Sequence, residues 1–357
     1  MTFDNKYGNA IEYLLAKGNV AVRYRVMTEL LDNAGSEDIH KLQSELIISE
    51  RYVKLIDCLK KRKEYHGATI YAIENSLNML VDMGCVYDSG FDEFDQVVKE
   101  IADEVRNKQI DNNHVLRYLT HIVAISSLLR AGIYDDYLME FVKDRIGTIY
   151  DFAVQKRYDI YDDISKYKGI PKSFQNRPII CPDLYENGKF CFPLEYDIYG
   201  FAYVYQKQPA DLQDKIDNII EYIMDNKFQS IEDGYGVLYG QKGYWAMGWD
   251  PKPTVLSKEF SYNPILLKMD LLGRFFISVN SEWFAQAVEL INRYVDADGI
   301  YKFPKNYLTE KDSCWILGNH MGLGENRRQK NALTIEGTFR ALKILKIADM
   351  TKASVYV

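Results

Sequence analysis

Three features of the 357-residue chain predict an all-α fold. Apolar residues recur three and four positions apart almost throughout, and runs alternating apolar with polar are nearly absent. Gly and Pro, the residues that punctuate turns, number only 22 and 9. With 47% hydrophobic and 13% aromatic residues the chain can build a large core, which excludes a disordered protein.

Taken in order, Ile11, Leu14 and Leu15 and then Val20, Val22, Val26 and Leu30 predict two short helices broken at Gly18-Asn19. Residues 42–48 and 52–59 predict two more. Ile70, Ile73, Leu77, Leu80 and Val81 predict a helix that stops at Met83-Gly84, and residues 94–105 an amphipathic one. The stretch 115–129 is apolar on every side and should be buried, ending at Ala131-Gly132. Another helix is expected over 138–152. Two stretches then break the rhythm: 157–196, with Pro171, Pro178, Pro182 and Pro193, and 228–262, rich in Gly. Many of the 28 tyrosines fall in or beside them, which suggests two long, ordered, aromatic-rich loops lining a cavity. No flexible linker interrupts the chain, so residues 1–357 are expected to form a single domain, with 157–196 the place for an internal seam.

The formal charge, 44 basic against 51 acidic residues, is −7, the wrong sign for a nucleic-acid partner. The basic quartet Lys60-Lys61-Arg62-Lys63 suits a solvated helix C-terminus. No window is apolar enough to span a bilayer, and the first residues lack the apolar run of a signal peptide. Five cysteines at irregular spacing fit a reducing compartment, so a cytoplasmic location is expected.

The second half is self-similar. A helix over 219–223 leads to Asp233-Gly234-Tyr235, and a helix over 288–291 leads to Asp298-Gly299-Ile300-Tyr301. A repeated helix-turn unit implies stacked helical hairpins, with Asp bonding its own backbone and Gly taking positive φ. This unit resembles the repeat of the α/α-toroid proteins, the terpenoid cyclase and protein prenyltransferase superfamily. More specifically, the chain resembles a bacterial prenyltransferase-like, squalene-cyclase-like branch. The resemblance rests on residues 19–26 (NVAVRYRV), 63–69 with 78–84, 264–273 with 294–304, and 334–343 (TIEGTFRALK). It implies helical hairpins closed into a toroid around a central cavity. The sequence departs from the family in having no Asp-x-Asp-Asp acid and Tyr in place of the usual repeat Trp.

Candidate residues follow. Asp159, Asp162 and Asp163 crowd three carboxylates together, so that one could stay protonated and start a cation-forming cyclisation. An N-cap or a hydrated loop is their structural alternative. Tyr244, Trp245, Trp249, Tyr262 and Trp315 offer aromatic faces for an apolar ligand, a carbocation or a sugar ring, or plain core packing. His320 with Tyr262, Asn319 and Arg327 could abstract a proton beside a neutralised carboxylate, as glycan lyases do. Asp312, Cys314 and His320 are competent zinc ligands but form too short a string to define a site, so no cofactor is assigned. Phosphate-cradling and serine-esterase motifs are absent. The leading expectation is an enzyme that binds a mainly apolar small molecule in a central cavity and performs acid-initiated lyase or cyclase chemistry. The alternatives are a glycan lyase or hydrolase acting on a carbohydrate ligand, and a non-catalytic helical scaffold for a peptide or protein. Substrate and oligomeric state stay open.

Overall fold

The computed structural model describes residues 3–108, 115–185, 189–240, 243–252 and 264–353. Of the described residues, 61% are in helices and 6% in strands. It divides into two compact units. The first comprises Met1–Asp103, Arg130–Ile133 and Thr254–Val357, and the second Glu104–Leu129 and Tyr134–Pro253. None of these boundaries falls within 157–196.

The helices of the first unit up to residue 82 lie close to where the apolar spacing predicts them. Gly8–Lys17 and Val20–Arg25 are separated at Gly18-Asn19, where the Asn19 side chain accepts a hydrogen bond from the Val22 amide and caps the second helix. That helix runs on as a wider turn over Val26–Leu30. Ser36–Ile47 and Glu50–Lys60 follow, the latter capped by Ser49. Every residue of the Ile73–Asp82 helix is buried. The centre is Ala332–Ala353, which packs on Gly8–Lys17, Val26–Leu30, Ile265–Leu272 and Phe276–Val279. A helix surrounded in this way is buried on most of its sides, and its charged residues Glu336, Arg340 and Lys343 are buried with it.

In the second unit Asp136–Ala153, capped by Asp135, packs against Ala210–Met224. The two irregular stretches differ from the expected loops. They contribute the strands β1 (Tyr161–Asp162), β2 (Ile179–Ile180), β3 (Gly236–Gly240) and β4 (Gly243–Met247), which form one sheet in that order. β1 and β2 are antiparallel, β2 and β3 parallel, β3 and β4 antiparallel. Strands of two residues leave no periodic trace, so each exists only through its partners. β3 can approach β2 because residue 236 is glycine: a Cβ there would lie 2.4 Å from the Pro178 carbonyl oxygen. Facing pairs Tyr239–Tyr244 and Leu238–Trp245 pin the register of the β3–β4 hairpin.

The tyrosines of this unit act largely as ties. Their hydroxyls donate to backbone carbonyls: Tyr235 to Pro193 (2.6 Å), Tyr222 to Arg157, Tyr185 to Tyr239 and Tyr244 to Lys168. The two Asp-Gly turns have glycines at positive φ as expected, 73° at Gly234 and 78° at Gly299. The carboxylates that bond these turns are different ones. Asp250 accepts from Gly234, and Asp296 accepts from Asp298 and Ile300. Among the described residues no helix is long and apolar enough to cross a membrane.

One ion pair secures the second unit's interior. Arg145 grips Asp197 with Nε and Nη2 at 3.0 and 2.6 Å, and its Nη1 donates to the Phe190 carbonyl. Asp197 also accepts from the Leu194 amide at the start of the Glu195–Val204 helix. Both side chains are 1% exposed. Asp197→Asn, which leaves the Arg145 charge uncompensated, should cost about 3–5 kcal/mol. Urea unfolding followed by circular dichroism checks this as a lower midpoint with unchanged slope.

Candidate functional site

In the first unit several helices turn polar side chains inward at helical spacing. Glu74, Asn78 and Asp82 lie four apart on Ile73–Asp82, and Glu336, Arg340 and Lys343 form one stripe of Ala332–Ala353. Arg25 joins them from Val20–Arg25 and Asp270 from Ile265–Leu272. Their charges close on one another. Arg25 chelates Glu29 at 2.5 and 2.8 Å and donates to the Asp82 carbonyl. The Asp82 carboxylate receives Arg130 at 2.7 Å and the Trp315 indole N–H at 3.0 Å, with Arg340 at 3.6 Å. The Arg130 guanidinium sits over the Trp315 ring, 4.3 Å from its centroid, and also bonds Asn78. Lys343 pairs with Asp270 at 2.6 Å. Burial opposes the Asp82 carboxylate, yet Arg130, Arg340 and Arg25 together hold it well below the usual range. At Asp270 burial is overcome in the same way by Lys343 and Arg274.

Glu336 behaves oppositely. It is fully buried, and burial pushes its carboxyl up to about 7. The opposing influences, contact with Arg327 and hydrogen bonds from the Leu323 and Glu325 amides, are insufficient to keep it low. Arg327 reaches on toward Glu310 at 4.0 Å, and Glu310 toward Arg51 at 3.6 Å.

Glu310 and Arg51 open onto a groove of two depressions, about 360 and 390 Å³ in volume, that share Arg51 and Lys54. The first is lined by Arg51, Lys54, Lys311 and His320, by Glu310 and Asp312, and by the apolar Leu55, Ile70 and Met79. The second runs past Asn19, Ser49 and Gly324. Small-molecule sites fall in this size range. The His320 Nε2 lies 2.6 Å from the Ser313 carbonyl oxygen. A carbonyl only accepts, so Nε2 carries the proton and Nδ1 is the basic nitrogen of the neutral ring.

The candidate residues divide between the units. In the second, Asp159 is exposed. Asp162 lies on β1, paired with Lys166 at 2.5 Å and hydrogen-bonded by Tyr167. Asp163 caps the short Ile164–Lys166 turn through the Ser165 amide. These bonds lower both carboxyls, first through Lys166 for Asp162 and through Ser165 for Asp163, so both are held ionised, the reverse of what a proton donor needs. Tyr244 and Trp245 are half-buried on β4, and Trp249 packs edge-on against Tyr196. Tyr262 lies outside the described residues. In the first unit Trp315 and Asn319 are buried, Trp315 as the Asp82 partner. Arg327 is bound to Glu336, while His320 and Asp312 line the groove.

Zinc on Asp312, Cys314 and His320 does not fit. Among the described residues the grouping of three His, Cys or acidic donors within 4.8 Å consists of His66, Glu74 and Cys314. The Cys314 thiol, raised to about 12 by burial and by Glu74, belongs to that cluster.

No family model, no curated protein and no solved structure matches the chain.

Arg51 and Lys54 were not among the candidates. They sit on Glu50–Lys60, whose alternating charges and apolar residues read as an ordinary amphipathic helix. Glu336 lay within a stretch singled out for its resemblance but carried no role. The elevated Glu336 carboxyl makes a specific prediction. Unfolded, a Glu ionises near its ordinary value; folded, it keeps its proton to about pH 7, so ionisation favours the unfolded chain and stability falls as pH rises from about 4.5 to 7. Glu336→Gln should remove this slope, gaining about 2–3 kcal/mol relative to the parent between pH 5 and pH 8. Urea unfolding of both proteins at the two pH values measures it.

Proposed function

We propose that the groove of the first unit binds a small anionic, hydroxyl-bearing molecule, of the acidic-saccharide class, and that His320 acts on it as a base. The supporting observation is the His320 ring, fixed with Nδ1 as its basic nitrogen, in a wall that also carries Arg51, Lys54 and Lys311. A carboxylate seated against Arg51 and Lys54 would have its charge neutralised, which acidifies the adjacent C–H. Transfer of that proton to His320 Nδ1, followed by rupture of the C–O bond one carbon further on, is β-elimination. The departing oxygen takes its proton from water. In this reading Arg51 does what the sequence suggested for Arg327. The apolar lining residues Leu55, Ile70 and Met79 suit the less polar face of a sugar ring.

Thermal shift with uronate oligosaccharides, their neutral counterparts and polyprenyl diphosphates tests the ligand class. The uronates should raise the melting temperature, the neutral sugars should not, and Arg51→Leu should abolish the shift. A larger shift with polyprenyl diphosphates would overturn the reading. Absorbance of the new double bond conjugated to the carboxylate follows turnover. His320→Gln keeps an N–H for the Ser313 carbonyl but lacks the base, and should lower kcat by roughly 10²–10⁴-fold with ligand binding retained.

A further inference from the structure

We propose that His66, Glu74 and Cys314 form a site for a borderline-soft divalent cation, zinc foremost, with one coordination position open. This goes beyond the function proposed above and does not rest on it. A His66 ring nitrogen, a Glu74 carboxylate oxygen and the Cys314 Sγ all lie within 4.8 Å of one another. His66 Nδ1 and Glu74 Oε1 are 2.5 Å apart. Ligands at bond lengths near ~2.1 Å around a tetrahedral ion stand roughly 3.4 Å from each other. An entering ion therefore has to part that pair by about 1 Å while drawing the thiol in, a movement within side-chain reach.

The chemistry of the donors selects the ion. A thiolate beside an imidazole nitrogen and a carboxylate favours zinc or cobalt over magnesium or calcium, which take oxygen ligands. One thiolate and one carboxylate supply two negative charges, balancing a divalent ion in an otherwise buried place. Three protein ligands leave the fourth tetrahedral position for water or a substrate atom, the arrangement of catalytic rather than structural zinc.

The fold builds the cluster from two distant chain segments and holds them with a residue that is not a ligand. His66 lies in the bend before Ile73–Asp82, Glu74 in that helix's first turn, and Cys314 just before the Trp315–Leu317 turn. Asn75, fully buried, donates from Nδ2 to the Gly67 and Thr69 carbonyls at 2.8 and 2.7 Å and accepts the Trp315 amide on Oδ1 at 2.7 Å. Asn75 thus clamps the His66 bend and the Cys314 segment to the helix that carries Glu74. The Gly67 amide donates to Glu74 Oε1 at 2.8 Å, the kind of outer partner that orients a metal-binding carboxylate. His66 is 24% exposed at its side chain, which gives an ion a way in. Ile70 and Asp312, close in sequence to His66 and Cys314, lie on the groove wall.

The test uses the full-length protein, stripped with chelator and dialysed. Titration with zinc chloride by calorimetry should give one equivalent bound. Cobalt(II) should give a thiolate-to-metal charge-transfer band in the near-ultraviolet. Cys314→Ser should abolish that band, and His66→Ala should weaken zinc by more than the roughly 10–100-fold that loss of an outer partner costs. His320→Gln should leave the stoichiometry and the band unchanged. The proposal is overturned if the parent protein binds no stoichiometric zinc, if cobalt binds without the band, or if Cys314→Ser and His66→Ala bind metal like the parent. Loss of the band in His320→Gln would also overturn it, by moving the ligand set toward the groove. Because the parent titration alone can sink the idea, a variant that misfolds does not shelter it.

Discussion

The first unit depends on charge balance in a dry interior. Arg25, Arg130, Arg340 and Lys343 face Glu29, Asp82 and Asp270 within a set of packed helices. Removing such groups from water is costly, and only close geometry with further hydrogen bonds offsets the cost. The bonds supply it: Arg25 chelates one carboxylate, Asp82 collects an arginine and an indole, and Met321 offers its carbonyl to Arg340. A network of this kind adds less to stability than an apolar core of equal volume would, but it permits few other packings. Glu336 is its weakest member, an acid poised near neutrality between the interior and the Arg327–Glu310–Arg51 chain that reaches the groove.

Much of the helical framework could be read from spacing alone, because helices such as Ser36–Ile47 and Glu50–Lys60 are apolar on one side only. The sheet could not. Tyr161–Asp162 and Ile179–Ile180 are too short to carry a period, and they are strands only because they pair with each other and the second of them with β3. The ionic network was hidden for the opposite reason. Glu74, Asn78 and Asp82 recur every four residues, as a solvated helix face would, and only the packing shows that this face points inward.

The candidate site was partly legible. His320, Asp312 and Cys314 drew notice as chemically capable residues, but their grouping follows contacts across more than two hundred positions, which spacing does not encode. The carboxylates Asp162 and Asp163 illustrate the reverse error. Their crowding suggested a retained proton, whereas Lys166, Tyr167 and the Ser165 amide relieve the repulsion locally. A carboxyl's proton affinity is decided by its partners rather than by its sequence neighbours.

The discontinuity of the first unit has a consequence for biosynthesis. The second unit draws its main ion pair, Arg145 and Asp197, from residues 52 positions apart, and its last strand ends at Met247. All of it leaves the ribosome while the first unit still lacks Asp270, Glu336, Arg340 and Lys343. Arg25 already has Glu29 and Asp82 already has Arg130 by then, but Asp82 still lacks Arg340 and Glu29 lacks Lys343, so water must meet the shortfall until residues 332–353 emerge. The first unit's interior is therefore completed only once residues 332–353 are made, later than every residue of the second unit.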